Sequence, residues 1–358
     1  MLVVGAALRG RPFSDNKRFP GLGNHTSTMD ESIRTVPTLG KPWLSAREWR
    51  LHGGLFLLTV ITTILAGTML AAPELPNHEL RLASPLDYLL YIPLSYLYSV
   101  IDLLEYAFSH PKLIAEGATF SASLLAILFS HEMGHYLACR YYKVNATPPY
   151  FIPAPPLFLA GTFGAFIKIR SAIPSRRALF DIGLAGPLAG FVVAVPVAVI
   201  GVLTAGTPLD HSGNWIYFND PLLIRLISKL LGIPLDPNTP TNPYYMAAWI
   251  GLLVTSLNLM PVGQLDGGHG TFSLFGGRAH KIIGRVAFAI MAALAFLGFW
   301  WHGSPSGFLY AVLLAVMMKV PHPQPAVMEP LGTKRIVIAI VTLIVFALCF
   351  LPFPITIS

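Results

Sequence analysis

Charge is scarce in this sequence. Asp, Glu, Lys and Arg together make up 11% of its 358 residues, against 54% hydrophobic. A soluble globular domain carries about 25% charged residues, so the composition excludes a soluble protein and implies an integral membrane protein embedded in the lipid bilayer. Cysteine is scarcer still: Cys139 and Cys349 stand far apart in apolar stretches. Two such residues make neither a disulfide framework nor a cysteine zinc motif, and they read as small buried hydrophobes. The net charge of +7 is modest. No array of basic and aromatic residues interleaves, so nucleic acid is not expected as a partner. A solenoid period and a second soluble domain are also missing.

What is present is a series of apolar spans separated by basic ends. Residues 1–45, rich in Gly, Pro, Arg and Ser, read as a disordered basic tail. Residues 46–112 hold a first span, 51–72, and an aromatic, leucine-rich amphipathic stretch, 86–108, that carries Asp87, Asp102 and Glu105. Arg47 and Arg50 precede the first span while Glu74 and Glu79 follow it, which places the N-terminus in the cytoplasm. Residues 113–275 form a membrane core with spans near 117–139, 178–204 and 244–259, and residues 276–358 add apolar segments near 281–301, 306–320 and 335–353. A Pro-rich start at 147–156 gives way to FLAGTFGAFIKIRSAI (158–173), which reads as a β-hairpin or strand pair, and 206–242 reads as a polar outer loop. The expected fold is an all-α polytopic membrane protein of about six to seven transmembrane helices with a short membrane-associated β-hairpin.

The chemistry is concentrated in one pentapeptide. His131, Glu132 and His135 stand in FSASLLAILFSHEMGHYL (120–137), where Glu132 is the one Asp, Glu, Lys or Arg. On a helix the two histidines share a face one turn apart, and two imidazoles so placed can grip one Zn²⁺ with the intervening Glu as general base for a metal-bound water. Ionisable side chains inside a membrane helix need a compensating partner, since one charge at its centre costs about 2.5–3.5 kcal/mol on insertion scales. A catalytic zinc needs a third protein ligand. Asp266 is the strongest candidate, in NLMPVGQLDGG (258–268), where Pro261 breaks a span and Gly263, Gly267 and Gly268 free the backbone. His269, three residues on, reads either as a group that supports the metal ligands from behind or as an exposed loop residue, and the second is the favoured reading.

HEMGH on one membrane helix, with Asn258, Pro261, Leu265, Asp266 and Gly267 spaced as N-x-x-P-x-x-x-L-D-G on a later one, resembles the site-2 protease family of intramembrane zinc metalloproteases. PYFIPAPP, GTFGAFIKIRS, ALFDIGLAGPLAGF and DGGH are similar to its subgroup without a PDZ domain, and the resemblance covers about residues 115–275. It implies one zinc per chain, held by His131, His135 and Asp266, with Glu132 as catalytic base. It also implies a transmembrane protein substrate, whose peptide bond is hydrolysed in or near its membrane segment, and a bacterial cytoplasmic membrane as location.

A helical substrate must unwind before hydrolysis, and a strand can hold the exposed backbone by β-addition. Gly161, Phe163 and Gly164 are the candidate substrate contacts for that reason, and Asn258 is a candidate for hydrogen bonding near the metal or the substrate backbone. A self-contained hairpin that shields the site remains the alternative for the first three, and an interhelical amide contact for Asn258. At the level of function the alternatives are a membrane metal transporter and a scaffold that binds membrane substrates without cutting them. With no PDZ domain visible, substrate gating falls to other membrane elements or to a regulatory membrane partner.

Overall fold

Ser45 opens the first helix with a reciprocal cap. Its Oγ accepts from the Glu48 amide at 3.2 Å, while the Glu48 carboxylate accepts from the Ser45 amide at 2.9 Å. The structure is a computed structural model that describes residues 45–72, 85–206, 216–235, 239 and 242–357. The tail expected over 1–45 therefore lies outside the described residues, apart from Ser45.

Helix α1 (Ala46–Ala71) buries a threonine-rich face on α3 (Pro111–Tyr141). Thr59, Thr62 and Thr63 donate to carbonyls one turn back, so the buried hydroxyls are satisfied locally, and Thr63 Oγ1 also lies 2.6 Å from Ser121 Oγ on α3. The two helices touch at Gly67 and Gly117. A Cβ on Gly67 would fall 2.7 Å from Phe120 Cβ, and one on Gly117 would fall 2.4 Å from Thr68 Oγ1. Helix α2 (Pro85–Ser109) contacts both α1 and α3.

The β-ribbon differs from expectation. Strand β1 (Tyr150–Pro153) pairs antiparallel with β2 (Thr162–Phe166), with Tyr150 opposite Phe166 and Phe151 opposite Ala165. The partner of GTFGAF thus comes from the Pro-rich stretch before it, whereas the sequence suggested a hairpin within 158–173. Pro149 and Pro153 bracket Tyr-Phe-Ile, a strand-forming triplet, and a proline at a strand end gives up no ladder hydrogen bond. The ribbon is fixed to α1: the Tyr150 ring stacks on His52 at 3.8 Å, and a Cβ on Gly161, at φ +65°, would meet Thr62 O at 2.4 Å.

Helix α4 (Arg176–Leu203) packs along α3, and α6 (Pro243–Asn258) lies against both, with eleven of its sixteen residues buried. The expected outer loop holds two further elements, β3 (Ile216–Phe218) and the amphipathic α5 (Leu222–Leu231). Helix α7 (Asp266–His302) is broken at Gly276 (φ 80°, ψ 173°), and Arg176 donates to the carbonyls of Ser273 and Leu274 at the break. Helices α8 (Ser306–Lys319) and α9 (Thr333–Cys349) follow, and β4 (Ile355–Ile357) closes on β3. At the base of α9, Arg335 reaches Asp181 through Nε at 2.9 Å and Tyr142 Oη at 2.9 Å, tying α9 to α4 and to the end of α3.

The described chain is mostly helical. Four helices, α1, α3, α4 and α7, are long and apolar enough to cross a membrane by length and composition. Helices α6, α8 and α9, at 16, 14 and 17 residues, are shorter. Cys139 and Cys349 are both free and fully buried, as read from the sequence.

Candidate metal centre

Three side chains converge where α3, α6 and α7 meet. His131 and His135 project from one face of α3 with their Nε2 atoms 3.2 Å apart. Asp266, the first residue of α7, brings Oδ2 to 3.2 Å from His131 Nε2 and 3.3 Å from His135 Nε2. All three are buried, Asp266 completely. His135 Nδ1 lies 2.7 Å from the Ile182 carbonyl, which can only accept, so Nδ1 carries the proton and Nε2 presents a lone pair to the cluster.

This arrangement fits a cation. Neither Asp266 carboxylate oxygen has a hydrogen-bond partner, although the residue is fully buried. A buried carboxylate left uncompensated is strongly unfavourable. A proton can bridge two of the three facing ligand atoms but not all of them, whereas a metal ion can bond all three. The nearly equilateral triangle also has the right size: tetrahedral zinc with bonds of about 2.0–2.1 Å sets its ligand atoms about 3.3–3.4 Å apart. Among the described residues this is the one group of three or more such side chains close enough to share a metal.

Two close approaches build the triangle. At the end of α6 the chain turns through Leu259–Leu265, and Gly263 adopts φ +54°, where a Cβ would also lie 2.2 Å from Met317 O. The first turn of α7 then rests directly on that turn. A Cβ on Gly267 would be 1.9 Å from Leu259 O, and one on Gly268 would be 2.5 Å from Gly263 O. These last two glycines serve close packing inside a helix rather than backbone freedom in a loop. On the other side, α4 presents Gly183, Gly186 and Gly190 to the site. Cβ atoms there would fall 2.6 Å from His269 Cβ, 2.1 Å from His135 Nε2 and 3.1 Å from His131 Cβ. The sequence marks this stripe as small residues suited to helix packing but does not say what they face.

Glu132 is buried on α3 between the two histidines in sequence. Asn258, the last residue of α6, points Nδ2 toward His131 Nε2 at 3.4 Å, so it borders the triangle. Gly161, Phe163 and Gly164 lie on the ribbon rather than among the ligands. Phe163 is 59% exposed, and Gly164 has open space where a Cβ would be. His269 departs from expectation: it is buried on the first turns of α7 and its Nδ1 lies 3.0 Å from His322 Nε2. Three glycines in DGGHG make that helical turn look like a loop. His322 itself has no sequence signal beyond its identity.

Membrane-scale helices around a buried His-His-Asp cluster, with a glutamate beside the first histidine, define a metallopeptidase-like membrane protein. The sequence model of Peptidase family M50 matches residues 119–298, half of the chain, and the chain belongs to that family, as its resemblance to the site-2 proteases implied. It is 31% identical over 238 residues to a rice protein named "Probable zinc metalloprotease EGY1, chloroplastic", and 32% identical over 239 residues to the Arabidopsis thaliana protein of that name. It is 31% identical over 261 residues to the Arabidopsis "Probable zinc metalloprotease EGY2, chloroplastic". The matches take in 64%, 64% and 71% of this chain but only 39%, 42% and 45% of those relatives, so the chain spans less than half of their length. These relatives carry chloroplast names, and the expected bacterial cytoplasmic membrane finds no support in them.

Proposed function

We propose that this chain is an intramembrane zinc metalloprotease that hydrolyses a peptide bond in or near the transmembrane segment of a membrane protein. The observation that carries the reading is the buried triangle of His131, His135 and Asp266, with 3.2–3.3 Å sides, on helices of membrane-spanning length. These three residues hold one zinc ion, which supplies Lewis-acid polarisation at the scissile carbonyl. Glu132 is the general base: its carboxylate takes the proton of the attacking water and returns it to the leaving amine. Asn258 donates from Nδ2 beside His131 to the substrate backbone. Hydrogen-bond donors of this kind act most strongly where water is excluded.

The substrate helix gives up its i to i−4 hydrogen bonds before it reaches Glu132, and the ribbon receives it. Gly161, Phe163 and Gly164 line that contact, with the exposed Phe163 ring meeting apolar substrate side chains. Counting the shorter apolar helices α6, α8 and α9 with the four long ones gives seven spans, the upper end of the expected six to seven, and Arg47 and Arg50 before α1 favour an N-terminus on the cytoplasmic side. Membership of a peptidase family favours hydrolysis over metal transport.

The test uses the full chain in proteoliposomes with single-pass membrane proteins as substrates. Cleavage within a transmembrane segment is expected, lost on chelation and restored by Zn²⁺. Metal uptake into the vesicle lumen without any peptide cleavage would overturn the reading in favour of a transporter. The ribbon has its own test. Phe163→Asp is expected to raise KM by about 10-fold or more, since losing one buried aromatic contact is worth about 1.5–3 kcal/mol. Bound zinc should not change. Unaltered turnover at low substrate would mean that substrate enters elsewhere.

A further inference from the structure

The match to the peptidase family ends at residue 298, yet a later segment reaches back to the metal centre. Residues 320–332, between α8 and α9, form a proline-rich strap. Its far end is bolted to the start of α4: Ala326 N donates to Ile173 O at 3.1 Å, Arg176 N donates to Val327 O at 2.9 Å, and Arg177 Nε donates to Pro330 O at 2.8 Å. Its near end grips the turn that carries Asp266. Gly263 packs on Met317 O just before the strap. Gln264 Nε2 donates to Pro321 O at 2.6 Å, and His269 Nδ1 meets His322 Nε2 at 3.0 Å. The contacts therefore fall three and two residues before Asp266 and three residues after it.

The proton positions follow from the partners. His322 Nδ1 lies 2.8 Å from the Pro323 carbonyl, an acceptor, so Nδ1 carries the hydrogen and Nε2 accepts. His269 must then donate from Nδ1. Burial holds His322 well below the usual imidazole range, down to about 3, which keeps Nε2 free of a proton at neutral pH. The His322 ring is held flat against Phe272 at 4.2 Å and 10°. His269 sits one turn beyond Asp266 on α7, between this strap and Gly183 of α4.

We infer that the strap is a positioning element of the metal centre: His322, acting through His269, and Gln264 together fix the turn that aims Asp266 at the two histidines. The inference rests on the zinc reading above. Supports of this kind, one shell out from the ligands, commonly change metal affinity by about 10–100-fold when removed.

The test loads the purified full chain with Co²⁺ as probe and follows its visible absorption and its loss to a chelator. His322→Ala is expected to release cobalt about 10-fold faster or more and to shift the absorption bands. His322→Gln can accept from His269 through its carbonyl and donate to Pro323 through its amide, so it should restore both readouts toward wild type. Gln264→Ala, at a partly exposed position, should weaken cobalt retention without disturbing a core. Wild-type retention and spectra in both alanine variants would overturn the inference. So would a His322→Gln chain as impaired as His322→Ala, because ring packing and not the hydrogen bond would then be at work. Failure of the zinc reading shows separately, as a wild-type chain that takes up no cobalt or an Asp266→Ala chain that binds it equally well, and it takes the inference with it.

Discussion

Glu132→Gln is expected to keep one zinc per chain and to lose cleavage of a transmembrane substrate by at least about 10²-fold, the lower end of what a positioned general base contributes. The two halves of this result come from different atoms. On the proposed reading zinc retention rests on His131 Nε2, His135 Nε2 and Asp266 Oδ2, and Glu132 contributes no atom to that triangle. Turnover depends on a carboxylate that can take and return a proton, which an amide of the same shape cannot do. Because Glu132 is 2% exposed, the neutral replacement is no harder to bury, and the variant should fold. Metal content by atomic emission and single-turnover cleavage in the same preparation measure both halves. A glutamine variant that cleaves at the wild-type rate would remove Glu132 from the reaction. The same variant separates a protease from a scaffold that only binds membrane substrates, since a scaffold would be indifferent to the change.

Much of this centre was legible in the sequence because helix geometry fixes it. A four-residue spacing on a helix leaves His131 and His135 on one face, and an acid after a proline-broken apolar span left Asp266 the strongest third ligand. What stayed hidden depends on surfaces that meet across the fold. Gly183, Gly186 and Gly190 recur at helical spacing, but their partners His269, His135 and His131 stand on other helices. Gly267, Gly268 and Gly270 imitate a loop, so the sequence pattern suggests no helix before the apolar segment near 281 and makes His269 look exposed, whereas the helix begins at Asp266. Strand β2 is recognisable from the β-branched and aromatic residues that flank Gly161 and Gly164, whereas its partner β1 lies in a stretch whose prolines rule out a regular helix and give no strand signal. Strand β3 pairs with β4 near the other end of the chain, and three residues a side give no local signal of such pairing. His322 lies 53 residues beyond His269 in a segment without periodicity, where only the folded chain shows the contact.

Gly186→Ala is expected to abolish zinc binding although it touches no metal ligand in sequence and improves local helix propensity. In an open helix the change would favour folding by about 0.8–1.0 kcal/mol. Here the new Cβ would lie 2.1 Å from His135 Nε2, 2.4 Å from its Cδ2 and 2.5 Å from its Cε1. The ring has little freedom to yield. It is fully buried, its Nδ1 is held by the Ile182 carbonyl at 2.7 Å, and its Nε2 is the atom proposed to bind the metal. Relief comes either from swinging His135 out of the triangle or from pushing α4 away from α3. The first removes a ligand outright. The second lifts the Ile182 carbonyl that fixes the His135 tautomer, and it also loosens the contact between Gly190 and His131. Overpacking a close helix contact costs about 1–3 kcal/mol, more than the propensity gain, so stability should fall as well. Gly190→Ala meets His131 Cβ at 3.1 Å and should do less harm, and Gly54→Ala on α1, with nothing within 4 Å, should leave zinc untouched. Zinc content after a chelator wash, measured across these three variants, is expected to fall most for Gly186→Ala, less for Gly190→Ala and not at all for Gly54→Ala. Wild-type zinc and turnover in Gly186→Ala would mean that α4 does not stand where it excludes a methyl group from His135, and the wall that closes the metal centre would have to be redrawn.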